Sequence, residues 1–309
     1  MTQTRDFAYS APVSALLTLS APKGSSSKHW LQYQKKFGLT EADIPELIRL
    51  ATDAKLFWDG DESDYYGPLH ALRALGELRA EAAIAPLISI IPWSEDSDWH
   101  MEELPEALGL LGPACLSALQ DYLATPASNE QWYFTSTAIE AIRKIPLHYP
   151  ETRDSCAQYL TDSLRQYAQQ SAEKNAHLTA ALLGLEVVEA AEVIGKAYTE
   201  GPMDERVCGT WPAVQVELGL AKKEDFAPEE LLLPPVKGLE HLHPFYQPPS
   251  HPITISATAS GLSIEGSARP IATPKGKPRK AGLSLGKTKP KPKKQGFGNS
   301  NLKKKKKRK

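Results

Sequence analysis

The sequence predicts an all-α fold: an α-solenoid of stacked helical pairs followed by a disordered basic C-terminal tail. Three observations carry that prediction. Apolar residues recur at the 3.6-residue period of a helix face from Ile44 to Leu218. The stripes come in short pairs punctuated by Pro and Gly, each too small to bury its face alone, so each needs a neighbouring pair. Acidic residues stop at Glu265: residues 266–309 hold 17 of the 36 Lys and Arg and none of the 37 Asp and Glu. The body, 1–265, therefore keeps 19 basic and 37 acidic residues, a net of −18 against +17 for the tail. Such asymmetry reads as an acidic folded body carrying a basic arm.

Residues 1–39 form an N-terminal extension. It has a short apolar piece, Pro12–Leu19, and a flexible loop, Lys23–Ser27. A short helix over 29–37 follows, with Trp30, Tyr33 and Phe37, stopped by Gly38. The repeat domain spans 40–220. Asp43 reads as the cap of its first helix, with Pro45 in the first turn and Glu46 placed as in a capping box. Thr40 is the rival cap, but it sets Pro45 deeper in the helix. The stripe is Ile44, Leu47, Ile48 and Ala51.

An acidic loop, Asp59–Asp64, leads to the best-marked pair. Pro68 opens a helix whose face is Leu69, Leu72, Leu75 and Leu78. Pro86 sits in the first turn of its partner, Ile84, Leu87, Ile88 and Ile91, where a missing N–H costs little. Pro92 ends that helix. A second acidic loop, Ser94–Asp98, precedes the stripe Leu104, Ala107, Leu108 and Leu111. Gly112-Pro113 turns into Leu116, Leu119 and Leu123. The third pair carries Ala138, Ile139, Ile142 and Ile145, a break over Pro146–Pro150, then Cys156, Tyr159, Leu160, Leu164 and Tyr167. The fourth carries Leu178, Ala181, Leu182 and Leu185, then Ala190, Val193, Ile194 and Ala197, closed by Gly201-Pro202. A last helix over about 204–219, interrupted by Pro212, holds Val207, Trp211, Val214 and Leu218.

Beyond Leu220 the period fails. Residues 221–265 read as a Pro-rich, mostly extended linker. Ile253–Ile255 and Leu262–Ile264 have the alternation of a small hairpin, but the extended reading is favoured. The tail, 266–309, repels itself and has almost nothing to bury, so disorder is expected.

Several phrases together resemble an uncharacterised bacterial family of HEAT-like repeat proteins: Phe37–Asp53, Pro68–Leu78, Glu102–Pro113 and Val214–Leu220. The pair Leu69–Ile91 is also similar to the repeats of phycobilisome lyases. The resemblance covers about 10–220. It implies a HEAT-like α-solenoid and names no activity. Relatives often end in a Cys-rich zinc tail like that of the SecA translocase. This chain has no cysteine after Cys208, so that metal site is not carried over, and a Lys-rich arm stands in its place.

The chemistry-bearing residues are sparse. Cys115, Cys156 and Cys208 sit singly in helical patterns, as core thiols of a reducing compartment rather than a disulfide or zinc framework. His70, His148 and His177 are isolated among helices. His241, His243 and His251 lie in the linker with Glu240 as the one nearby acid, a poor metal set. Asp59-Gly-Asp-Glu-Ser-Asp64 lacks the order of a calcium loop. No phosphate-binding Gly loop, GxSxG or HExxH is present, so no enzyme class, cofactor or metal is assigned. The opening residues lack a signal pattern and no apolar run reaches membrane-spanning length, so a cytoplasmic location is expected.

Two surfaces remain as partner candidates. In a stack of pairs, the loops entering successive first helices share one edge. That edge would gather Asp59, Asp61, Glu62 and Asp64, then Glu95, Asp96, Asp98, Glu102 and Glu103. It would attract a basic partner, or simply be a solvated surface with acids at helix starts. The tail ends in Lys303, Lys304, Lys305, Lys306, Lys307, Arg308 and Lys309. It suits RNA, DNA, a ribosome or an anionic membrane surface, or serves as a solubilising end. The sequence thus points to a protein-interaction scaffold tethered by its tail to nucleic acid or ribosomes. The alternative is a HEAT-like enzyme or chromophore-attachment factor of the bilin-lyase kind.

Overall fold

The computed structural model describes residues 9–24, 26–59, 62–129, 131–233, 254–258 and 261–265, with backbone alone for 59, 62–64, 127 and the last two stretches. The chain divides into two units, Met1–Leu239 and Glu240–Lys309. The first is helical. In order it holds α1 (Tyr33–Phe37), α2 (Ile44–Ala51), α3 (Ala54–Asp59), α4 (Glu62–Glu77), α5 (Ile84–Ser89), α6 (Asp98–Leu111) and α7 (Ala114–Leu123). Then come α8 (Trp132–His148), α9 (Arg153–Leu164), α10 (Ala172–Gly184), α11 (Ala191–Glu200), α12 (Glu205–Cys208) and α13 (Trp211–Glu217).

The first set of helices packs in sequence order, α2 on α4, α4 on α6, α6 on α8, α8 on α10 and α10 on α12. A second set, α5, α7, α9, α11 and α13, lies against them: α5 on α7, α9 on α11 and α11 on α13. One apolar core runs through all of it, from Leu47 to Val214. The predicted stripes are what it buries: Leu69, Leu72, Leu75, Leu104, Leu108, Ile142 and Leu182 are fully enclosed. Glycine sets the closest approach. A Cβ on Gly109 would meet Lys144 Cβ at 2.5 Å and its backbone carbon at 3.0 Å, so only a glycine lets α6 come this near to α8.

Several boundaries differ from expectation, each for a local reason. Asp43 stands at the N-cap position of α2 with Pro45 as the helix's second residue, but its side chain makes no cap there: Oδ2 accepts from the N–H of Thr40, 2.8 Å away, which caps the preceding 3₁₀ turn, Glu41–Asp43. Glu46 is free to accept from the amide (2.8 Å) and hydroxyl (2.6 Å) of Ser10 instead. Most of the 59–64 loop is helical. Asp59 closes α3, and α4 begins at Glu62 with Pro68 inside it. The extra turn is anchored by aromatic packing, with Tyr65 stacked on Phe57 at 5.7 Å and Phe57 on Trp93 at 4.6 Å. Pro146 also lies inside a helix, since α8 runs on to His148. Pro92 does not stop the chain from winding; a 3₁₀ turn, Ile91–Glu95, follows α5. The last helix is two, split at Gly209 (φ 87°), after which Thr210 accepts from Ala213 N and Pro212 takes the first turn of α13.

The second unit contains an antiparallel hairpin, β1 (Thr254–Thr258) paired with β2 (Gly261–Glu265), in the register Thr254↔Glu265 to Thr258↔Gly261. The linker reading of 221–265 was therefore too uniform. Pro252 and Pro270 bracket the two strands without entering them, so no ladder N–H is missing. No helix among the described residues is long and apolar enough to cross a membrane.

Candidate functional site

Helices α4, α6, α8 and α10 share a register. Ala74, Ala107, Ala141 and Ala181, followed by Leu75, Leu108, Ile142 and Leu182, are all buried. The residues just before those alanines are Arg73, Glu106, Glu140 and Ala180; three residues earlier stand His70, Glu103, Thr137 and His177. Helical periodicity sets these two rows side by side on one face.

On α4 and α6 that face is occupied by the chain's own N-terminal extension. His70 is the first grip: Tyr33 Oη lies 2.7 Å from its Nδ1 and the Ser20 carbonyl 2.9 Å from its Nε2. Arg73, 1% exposed, donates from Nη1 to the Lys23 carbonyl at 2.9 Å and from Nη2 to the Gly24 carbonyl at 2.5 Å. Its Nε reaches Glu103 Oε2 at 2.8 Å, Nη2 bonds the other oxygen, and the guanidinium lies 4.9 Å from the Trp30 ring centroid. Glu106 accepts from Ser27 N at 3.0 Å and Ser27 Oγ at 2.6 Å. Glu77 accepts from Tyr33 N at 2.7 Å and Gln34 N at 3.1 Å. The face holds a strap largely through the strap's main chain.

Burial moves the titrations of this half. His70 is pushed down to about 4 by loss of water, and Glu103 is pushed up by the same cause although Arg73 pulls the other way. Glu106 is enclosed too, but the nearby His148, at 3.5 Å, hydrogen bonds from Ser27 and the Lys144 ammonium outweigh that and hold it well below the carboxylate range. A relay of charges then crosses to α8. Lys144 Nζ is 3.0 Å from Glu106 and 3.8 Å from Glu140, and Glu140 accepts from Arg143 Nε at 2.7 Å.

On α8 and α10 no segment lies over the same face among the described residues. The face forms a groove of about 340 Å³, lined by Glu140 and Arg143 of α8, His177 and Ala180 of α10, and Val207, Cys208 and Glu217 from the α12–α13 region. Trp132, 43% exposed, stacks parallel on His177 at 5.8 Å. Beside it a second hollow of about 510 Å³ is lined by amides, among them Gln131, Gln166 and Gln170. His177 is pushed down by burial, against the pull of Asp204, Glu140 and Glu173. Cys208 is pushed up by burial, with Tyr198 Oη 2.9 Å away, so its sulfur is a thiol and not an activated nucleophile.

The chain matches no family model, no curated protein and no solved structure.

The sequence-predicted acidic edge is only partly assembled. Glu95, Asp96, Asp98 and Glu102 are exposed around the start of α6. Glu103 is not on that edge: it is 0% exposed and spent on Arg73. Asp59 ends α3 and Glu62 and Asp64 lie in the first turn of α4, while Asp61 falls outside the described residues. The tail, Lys303–Lys309, and the linker histidines also lie outside them. Cys115 and Cys156 are buried free thiols, as read from the sequence, and burial lifts Cys115 to about 12. Among the described residues no cluster of His, Cys, Asp or Glu could hold a metal ion. Sequence reasoning missed Arg73, Glu106 and the strap. The signal was there: Arg73, Glu103 and Glu106 are charges set on helix faces that otherwise read as apolar.

Proposed function

We propose that the chain is a cytoplasmic protein-interaction scaffold. Its body, 40–220, is a HEAT-like solenoid whose shared helix face holds a protein segment. Its end, Lys303–Lys309, tethers it to nucleic acid or ribosomes. One observation supports the first part above all others. A face that grips a segment on α4 and α6 continues, in register, as a groove on α8 and α10 that no described segment covers. The groove has a paired Glu140–Arg143, a stacked His177 and a protonated thiol, and no hydrogen bond joins His177 to Cys208 among the described residues. That is a surface for holding, with no assembled acid, base or nucleophile.

The tether follows from charge: seven Lys and Arg end the chain with no acid after Glu265. Contacts from about five to seven of them to phosphates give a log K against log salt slope of roughly −4 to −6. Two measurements test the reading. Affinity capture from native cells, with the full chain and with the last seven residues changed to Gln, should retain one protein partner in both and lose nucleic acid in the second. Loss of the protein partner with the tail change would overturn the scaffold reading of the body. Equal oligonucleotide affinity for both chains at low salt, by fluorescence anisotropy, would overturn the tether.

A further inference from the structure

We propose that the α8–α10 groove binds, in trans, an extended peptide that is basic and free of acidic residues. This rests on the scaffold reading and names its ligand.

The molecule supplies its own example of what the face accepts. Between Tyr9 and Thr40 the sequence has Lys23, Lys28, Lys35 and Lys36 and no Asp or Glu. The part lying across α4 and α6, Ser20–Gly24 with Ser26 and Ser27, is small and Pro- and Gly-containing, and it presents carbonyls to His70 and Arg73 and an amide to Glu106. Recognition there is largely of main chain, with the Ser27 hydroxyl added. The open half offers matching parts one and two helices further along. Glu140 takes the register of Glu106, and His177 that of His70. Ala180, where Arg73 and Glu106 stand on the other helices, adds only a methyl group to the lining.

Charge selects the ligand further. Arg143, the cation lining the groove, is already bonded to Glu140, while Glu217, also in the lining, makes no ion pair among the described residues. Glu173 and Asp204 lie within electrostatic reach of His177. The body carrying the groove has a net charge of −18, which raises the encounter rate of cationic segments and lowers that of anionic ones. Trp132, exposed and rigidly stacked, offers a ring face to a Lys or Arg stem beside the groove.

The test uses the full chain with all 17 Lys and Arg of residues 266–309 changed to Gln, so that no tail cation competes. The probe is a fluorescein-labelled peptide copying residues 19–32, with a second peptide in which both lysines are replaced by Glu. Anisotropy titrations at low salt should show the lysine peptide binding at least tenfold more tightly than the glutamate peptide, with the gap closing as salt rises. Ala180→Arg, which adds a cation to the lining, and Glu217→Arg should each weaken binding at least tenfold while leaving circular dichroism unchanged. Binding that survives both changes overturns the proposal. So does binding that falls instead with Glu106→Gln, because the probe would then be exchanging with the strap. Preference for the glutamate peptide overturns it as well. A protein captured from cells whose binding ignores Ala180→Arg would leave the scaffold reading standing and sink this ligand alone.

Discussion

Helices α4 and α6 and helices α8 and α10 present one face in one register, with different company on it. The first two are roofed by the chain's own strap, so that Arg73 and Glu103 are shut away from water and Glu106 nearly so. The second two meet solvent, and their charges, Glu140 and Arg143, pair with each other at the rim. The same residue types therefore serve opposite ends. Under the roof a charge is structural, because leaving it unpaired is costly. In the open the pair is partly solvated, so breaking it costs little.

The largest expected effect tests that contrast directly. Arg73→Met strands Glu103 and two carbonyls in the interior and should cost about 3–5 kcal/mol in urea melts. The double change Arg73→Met with Glu103→Met should recover a large part of the loss. A cost below about 1 kcal/mol for the single change would mean that the roof is not closed. Core truncation should ignore the boundary between the halves. Leu72→Ala and Leu108→Ala, under the strap, and Leu182→Ala, in the open half, should each cost about 2–5 kcal/mol. A much cheaper Leu182 would divide the core in two.

The strap itself is weaker. Glu106→Gln removes charged acceptance from Ser27 and Lys144 and should cost about 1.5–3 kcal/mol, with faster proteolysis in residues 19–32. Acid should act on both halves, since His177 of the open one is pushed down by burial as His70 is. His70 and His100 are held neutral by burial, at about 4 and about 3 against an ordinary 6.5, so the unfolded chain binds more protons below neutrality and stability falls as pH drops from about 6.5. Glu106, held low, adds a loss as pH falls through the ordinary 4.5; Glu103, held high, works in the opposite sense. His70→Gln should flatten the slope of stability between pH 7 and pH 5; an unchanged slope would place the titration elsewhere. The smallest effect belongs to the open half. Glu140→Gln should change stability by less than about 0.5 kcal/mol, and a larger cost would make the rim structural too.

What was legible in the sequence was whatever periodicity reports. Leu69 to Leu75, Leu104 to Leu111 and Leu178 to Leu182 were marked by spacing and are buried. Boundaries were harder because proline has two uses. Pro45 does sit in a first turn, but Pro68 and Pro146 lie inside helices whose neighbouring turns are held by tertiary packing. Charge was harder still. Glu102 and Glu103 are adjacent letters of the same kind; one is exposed and the other fully enclosed, and only the arrival of Arg73 from another helix decides between them. The strap was invisible for a related reason. Its contacts are made from side chains near residues 70 and 106 to main-chain atoms near 20–27, and main-chain atoms leave no mark in a sequence.

That last feature bears on how freely this part of the chain can vary. Carbonyls at Ser20, Lys23 and Gly24 are supplied by any residue, so most letters of the segment are interchangeable as far as its grip on α4 is concerned. Gly24 is the exception. Its φ of +69° and the 2.9 Å between a would-be Cβ and His29 Cβ demand a residue without a side chain. Ser27 is a partial one, since its hydroxyl adds to what its amide already gives Glu106. A saturation library over 19–28 should therefore tolerate uncharged replacements at most exposed positions, and fewest at Gly24, Ser27, the buried Pro22 and Leu19, which packs against the core. Drift in such a stretch would erase its resemblance to any ancestor while leaving its path over the helices intact.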